Sequence, residues 1–449
     1  VTNVSGFGTE LKQLLQLMWP ILITQFAQAG LGLIDTIMAG HLSANDLAAI
    51  AVGVGLWMPI MLLFSAIMIA TTPLVAEAKG ARTPEKIPGL VRQSLWVALC
   101  LGLIAMLILQ TMPFLLPVLG VPESLQPKAG LFLHAIGFGM PAVTMYAALR
   151  GYSEAMGHPR PVTVISLLAL VVLVPLNFIF MYGLGPIPHL GSAGCGFATA
   201  ILQWLMLITL ANYVYRAKAY QSTQIFTHWE KLDPQIIKLI LKLGFPIGLA
   251  VFFEVSIFST GAIVLSPLGD TVVAAHQIAM SVTSQLFMIP MSLAIALTIR
   301  VGMYYGEKNW ISMRRVQKLG LGTATFFALC TMCLIWFARP QIVAIYTQDP
   351  QVFDVALSLL LFAMAYQLMD AWQIGAAGCL RGMQDTKGPM WITLVAYWVI
   401  AFPVGVYLSR SLEMGPAGIW LGLILGLSIA CVLLLARLYS NNRKLSQQA

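Results

Sequence analysis

Charge is what this sequence has least of. Only 9% of its 449 residues are Asp, Glu, Lys or Arg, against 59% hydrophobic ones. That balance excludes a soluble domain of ordinary composition, because too few polar side chains remain to cover a water-facing surface. Histidine numbers six, and HExxH, GxSxG and His-rich arrangements are missing, so no enzyme active site is expected. The six cysteines, Cys100, Cys195, Cys330, Cys333, Cys379 and Cys431, all fall inside apolar segments, which argues against a secreted disulfide framework. Cys330 and Cys333 form a CxxC without a second ligand pair or a nearby His, and read as packing residues. The N-terminus has neither a basic n-region nor a cleavage site, and Lys12 sits on an amphipathic lead-in, so no signal peptide is expected.

What remains is a series of apolar runs near 12–37, 47–72, 90–116, 129–149, 161–183, 193–215, 236–264, 273–299, 316–338, 352–379, 389–409 and 416–436. Each is long enough for a helix rising about 1.5 Å per residue to cross a hydrocarbon core about 30 Å thick. The reading is an all-α polytopic membrane protein of twelve transmembrane helices. The net charge of +8 does not imply nucleic acid, since the basic residues follow alternate loops rather than one surface. With twelve spans, 22 of the 25 Lys and Arg residues fall on one side, against Lys128, Arg339 and Arg410 on the other. The positive-inside rule then places both termini in the cytoplasm.

The chain also repeats itself. A shift of 226 residues carries Pro20-Ile21 onto Pro246-Ile247, Ala48-Ala49 onto Ala274-Ala275 and Gly80 onto Gly306; farther along, Leu149-Arg150-Gly151 matches Leu380-Arg381-Gly382. Two pseudo-symmetric six-helix bundles are expected, residues 1–220 and 221–449. Six being even, both have the same orientation, with the pseudo-twofold axis along the membrane normal.

Of 17 acidic residues, 14 lie in loops or at span ends; Asp35, Glu254 and Asp370 stand inside apolar helices. An ionised side chain at that depth costs roughly 2.5–3.5 kcal/mol even on lenient scales. No basic residue of the same spans is placed to pair with them, so each is expected to be neutralised by a proton or a mobile cation. Tyr366 lies four residues before Asp370 and Gln373 three after it, on one helical face. Gln28 precedes Asp35 by two turns, Gln277, Ser281 and Gln285 form a stripe, and Asn177 interrupts the fifth span beside Pro175. Such polar stripes also serve as glue between helices. Under the repeat Asp35 falls on Gly261, Glu254 on Gln28 and Asp370 near Gly139. The two halves therefore carry unlike sites: a lone carboxyl suited to a proton, and a pair suited to a metal or organic cation.

The segments WPILITQFAQAGLGLIDTIMAGHLSANDLAAIAVG, LGFPIGLAVFFEVSIFSTGAIVLSPLG, AAHQIAMSVTSQLFMIPMSLAIALTIRVG and AGCLRGMQDT resemble the multidrug and toxic compound extrusion (MATE) family, in its bacterial NorM-type branch. The resemblance covers essentially the whole chain. It implies a V-shaped fold of two six-helix lobes around a central cavity that opens alternately to either side. It implies proton coupling at Asp35, with Asn177 and Thr199 beside it. A Na⁺-type or substrate cation site is implied at Glu254 and Asp370, with Tyr366, Gln277 and Phe287. Phe287 stands where some relatives carry Tyr, so hydroxyl coordination is lost there while the ring face still attracts a cation.

The implied activity is export of lipophilic, often cationic drugs across the bacterial inner membrane in exchange for Na⁺, H⁺ or both, by a monomer needing no covalent cofactor. Its partners are drugs and the lipid bilayer, with no nucleic acid. Two other readings stay open. A lipid-linked precursor flippase of the wider superfamily calls for basic residues deep in the cavity, and a cation channel for symmetric acidic rings.

Overall fold

The computed structural model describes residues 6–447; the first five residues of the N-terminal lead-in and the last two of the tail lie outside the described residues. Among the described residues, eleven helices are long and apolar enough to cross a bilayer: α1 (Phe7–Leu42), α2 (Ala44–Gly80), α3 (Lys86–Leu115), α6 (Arg160–Tyr182), α7 (Ala193–Arg216), α8 (Pro234–Leu268), α9 (Asp270–Gly306), α10 (Trp310–Tyr346), α11 (Pro350–Gly382), α12 (Lys387–Ser411) and α13 (Pro416–Gln447). A bent pair, α4 (Gln126–Gly137) and α5 (Met140–Ala155), passes the same test when taken together, which gives up to twelve spans. The chain is thus an all-helical, multi-pass membrane protein.

Short polar residues start several of these helices by satisfying backbone N–H groups left without partners in the first turn. Ser43 accepts from Asp46 N before α2, Asn309 from Ser312 N before α10, and Asp349 from Gln351 N before α11, where Pro350 occupies the first turn.

The expected span 129–149 is broken by 43° between Gly137 and Met140. Pro141 has no N–H to continue the ladder. Gly139 lets the break sit against α7, where an added Cβ would stand 3.0 Å from Ala200 Cα. The eleventh span is also irregular, since α12 widens into π-helical turns at Leu394–Ala401 and Tyr407–Ser411 on either side of Pro403.

By their internal contacts, residues 23–248 form one compact unit, and residues 1–22 with 249–449 form another, whereas the sequence repeat divides the chain at 220/221. The difference arises because α1 and α8 each give their opening turns to one unit and their remainder to the other. In the first unit Leu109, Phe132, Leu133, Met140, Met181 and Cys195 share a core. In the second, Leu14 and Met18 pack with Leu293, Leu297, Val301 and Leu380, and a further cluster joins Ile257, Tyr366, Tyr397, Ile419 and Leu423. Cys330 and Cys333, read as packing residues, are instead exposed on α10, and no disulfide is formed. Periodicity alone could not tell which side of an apolar helix faces the protein.

The second unit depends on a close approach of α11 to α9. A Cβ on Gly378 would stand 2.6 Å from Ala294 O, and one on Gly382 2.8 Å from Val301 Cβ and 2.9 Å from Thr298 O. The Thr298 hydroxyl donates to Gly378 O at 2.9 Å across the same seam. Packing and interhelical hydrogen bonds are what hold helices together in lipid, and small residues permit both. Gly382→Leu is therefore expected to destabilise the protein by about 1–3 kcal/mol through overpacking, seen as a lower melting temperature in detergent, while Gly8→Leu, with nothing within 4 Å of its added Cβ, leaves the melting temperature unchanged.

Candidate functional site

The three intramembrane acids occupy two separate settings. In the first unit Asp35 is buried on α1, with α6 and α7 reaching it. Asn177 Nδ2 donates to Asp35 Oδ1 at 2.6 Å, and the Thr199 hydroxyl donates to Oδ2 at 3.0 Å. Asn177 is fully buried, and its own Oδ1 has no hydrogen-bond partner. It lies two residues beyond Pro175, where α6 lacks one backbone hydrogen bond. The structure thus brings Asp35, Asn177 and Thr199 together across 142 and 164 residues of chain. Gln28, on the face of α1 that carries Asp35, points elsewhere: its Oε1 accepts from Arg150 Nη1 at 3.2 Å.

In the second unit Asp370 is 1% exposed on α11, and neither of its carboxyl oxygens has a hydrogen-bond partner. Glu254, partly buried on α8, lies within electrostatic range of it, as do the hydroxyls of Tyr366 and Tyr397. The Tyr366 ring is held by edge contacts with Phe258 and Trp420, at centroid distances of 6.2 and 6.3 Å. Gln277 is exposed on α9 and donates no hydrogen bond to either carboxyl, and Phe287 is only partly buried. Within the stripe that contains Gln277, Ser281 meets the Tyr346 hydroxyl at 3.2 Å.

Sequence reasoning missed Tyr397, Gln367 and Arg381. Tyr397 is fully buried in the π-helical stretch of α12, and its hydroxyl is without a partner; such widened turns recur at functional positions. The signal was a single hydroxyl within LVAYWVIA. Gln367 Nε2 and Gln373 Oε1 are likewise buried and unpartnered. Buried polar atoms left without partners are rare in folded proteins, and Tyr397 and Gln373 leave oxygens, and Gln367 a nitrogen, of this kind on α11 and α12.

Ion pairs among the described residues include Arg92–Glu230, Lys128–Asp46, Arg150–Glu154, Arg300–Glu10 and Arg437–Asp385. None includes Asp35, Glu254 or Asp370, so no fixed cation stands within 4.0 Å of them. Arg381 is nevertheless in electrostatic range of Glu254, a proximity that its place near a span end did not announce. No cluster of three or more His, Cys, Asp or Glu occurs among the described residues. The donor set of carboxyl, phenol and amide oxygens is hard, suited to alkali or alkaline-earth ions rather than to zinc or copper.

A family model described as MatE matches residues 20–179 and again 246–407. The second match starts 226 residues after the first, the same shift that relates the two halves of the sequence. The chain is 87% identical over 449 residues to the probable multidrug resistance protein NorM of Acinetobacter baylyi, covering 100% of both chains. It is 39% identical to the multidrug resistance protein NorM of Vibrio cholerae, covering 96% of each. Its fold is similar to the crystal structure of the eukaryotic MATE transporter AtDTX14, with a TM-score of 0.88 over 99% of this chain and 100% of that one, at 19% identity.

Proposed function

Since this chain belongs to the MatE family, we propose that it is a secondary active multidrug efflux transporter that exports lipophilic, often cationic compounds in exchange for Na⁺, H⁺ or both. The single observation that carries this reading is that buried Asp35 and Asp370 and partly buried Glu254 have no cation within ion-pair distance among the described residues. A buried carboxylate without a counter-charge in contact is strongly disfavoured, so these acids draw in a proton or a cation, or exchange one for another.

The Asp35 cluster suits the proton. As a carboxylate, Asp35 ties α1 to α6 and α7 through the two donors it accepts from. Protonation removes the charge that strengthens both bonds, and the new O–H finds an acceptor in Asn177 Oδ1 once the amide turns over. The ties between the three helices weaken, and proton occupancy becomes a packing change. The Glu254–Asp370 cluster suits Na⁺ or the cationic drug itself, with Tyr366 and Tyr397 supplying neutral oxygens. Drug and coupling ion need only differ in their affinity for the two conformations of an alternating-access carrier.

Each charge moved down 100 mV contributes about 2.3 kcal/mol, enough for roughly fortyfold accumulation. The bias of basic residues toward one set of loops supports a bacterial inner-membrane location with both termini cytoplasmic, and the protein acts as a monomer.

The test is flux of a fluorescent organic cation from proteoliposomes under separately imposed Na⁺ and proton gradients. Acceleration of export by at least one gradient over the gradient-free rate, abolished by the matching ionophore, is expected. Equal rates with and without either gradient would overturn the assignment.

A further inference from the structure

The two halves treat one arginine differently. In the first unit Arg150 is fully engaged: Nε donates to Glu154 Oε1 at 2.7 Å, Nη1 to Gln28 at 3.2 Å and Nη2 to Gln25 at 2.9 Å. The repeat places Arg381 on Arg150, Asp385 on Glu154 and Glu254 on Gln28. In the second unit, however, Asp385 is taken by Arg437, with Nε at 2.5 Å and Nη2 at 3.0 Å, and by Asn441 at 2.8 Å. Arg381 keeps a bond from Nε to Ala377 O at 3.3 Å, while its buried Nη2 has no partner. A guanidinium is always charged and carries five donors. The acid whose charge acts on it is Glu254, the residue that stands under the repeat where Gln28 serves Arg150.

We propose that Arg381 is the resident counter-charge of the Glu254–Asp370 site and selects a monovalent over a divalent cation. This rests on the reading that Glu254 and Asp370 hold the coupling cation or the drug. Two carboxylates and one guanidinium leave one net negative charge, which a single Na⁺, proton or monocationic drug neutralises. A divalent ion would leave an excess positive charge in a low-dielectric setting and is rejected. Arg381 acts through Glu254 rather than by touching the cation, and is a positioning and charge-setting residue.

The test is Na⁺ and Ca²⁺ binding to the full-length protein in lipid nanodiscs, by calorimetry, with melting temperatures recorded for each variant. In Arg381→Gln the affinity for Ca²⁺ relative to Na⁺ rises by about tenfold or more, and Arg381→Lys, which restores the charge, restores the wild-type ratio. Asp370→Asn, which leaves no net charge, loses Na⁺ binding, and Asp370→Asn with Arg381→Gln regains it. That rescue decides the matter even if Arg381→Gln alone fails to fold. An unchanged Na⁺ to Ca²⁺ ratio in folded Arg381→Gln, or no rescue in the double variant, overturns the charge-setting role. If Na⁺ binds equally well to wild type and to Glu254→Gln and Asp370→Asn, the site reading itself fails, and the two failures are told apart.

Discussion

Asp370→Asn is expected to lower cation-driven drug export by about 100-fold, the upper end of the coupling factors seen between linked sites, with no loss of folded protein. The two halves of that expectation have one cause. Both oxygens of Asp370 are buried without a donor, so no interaction of the fold is broken when the carboxyl becomes an amide of the same shape. What disappears is the charge that a cation or proton would balance. A buried acid serving architecture behaves oppositely: removal of the carboxylate of Glu10, which accepts from Arg300 and Tyr304, leaves the partly buried Arg300 guanidinium without its counter-charge and costs stability. Flux in proteoliposomes, set beside melting temperatures of Asp370→Asn and Glu10→Gln, separates the two cases. A destabilised Asp370→Asn with undiminished gradient-driven flux would reverse the assignment.

Asp35→Asn should remove the proton-driven component of export, again by about 100-fold, and flatten its dependence on pH. Na⁺ binding at the second cluster should survive. The geometry explains why this variant folds. An amide at position 35 still accepts one hydrogen bond, and its new N–H₂ finds the buried Asn177 Oδ1, which is without a partner in the present arrangement. Turning Asn177 over, with rotation of the Thr199 hydroxyl, satisfies the cluster without a charge, a permanent imitation of the protonated state. Export measured across pH at zero membrane potential checks this, and a wild-type pH profile in Asp35→Asn would exclude Asp35 from proton coupling.

The spans, the repeat and the three acids were legible in the sequence because each is a property of the chain taken alone. Hydropathy fixes where a helix can cross lipid, a fixed shift exposes duplication, and a lone carboxyl in an apolar run needs no neighbour to be recognised. Lateral relations were not legible. Nothing in the run 129–149 signals a 43° bend, because averaged hydropathy passes smoothly over Phe138 and Gly139. Arg381 lies near a span end and reads as one more loop charge, yet it is 6% exposed, and Asp385, four residues on, is bonded to Arg437 of α13 instead. Tyr397 was hidden because aromatic residues are ordinary in membrane helices, and only its lack of a hydroxyl partner sets it apart. The meeting of Asp35 with Asn177 and Thr199 came from family resemblance rather than from spacing, since contacts across more than a hundred residues leave no local period.

The boundary between the compact units falls after Leu22 in the first half and after Gly248 in the second, positions separated by the repeat interval itself. In each half the opening turns of the first helix belong to one unit and the rest of that helix to the other. The unit of residues 23–248 is therefore one unbroken stretch of chain, whereas the other is complete only once residues 249–449 have been made.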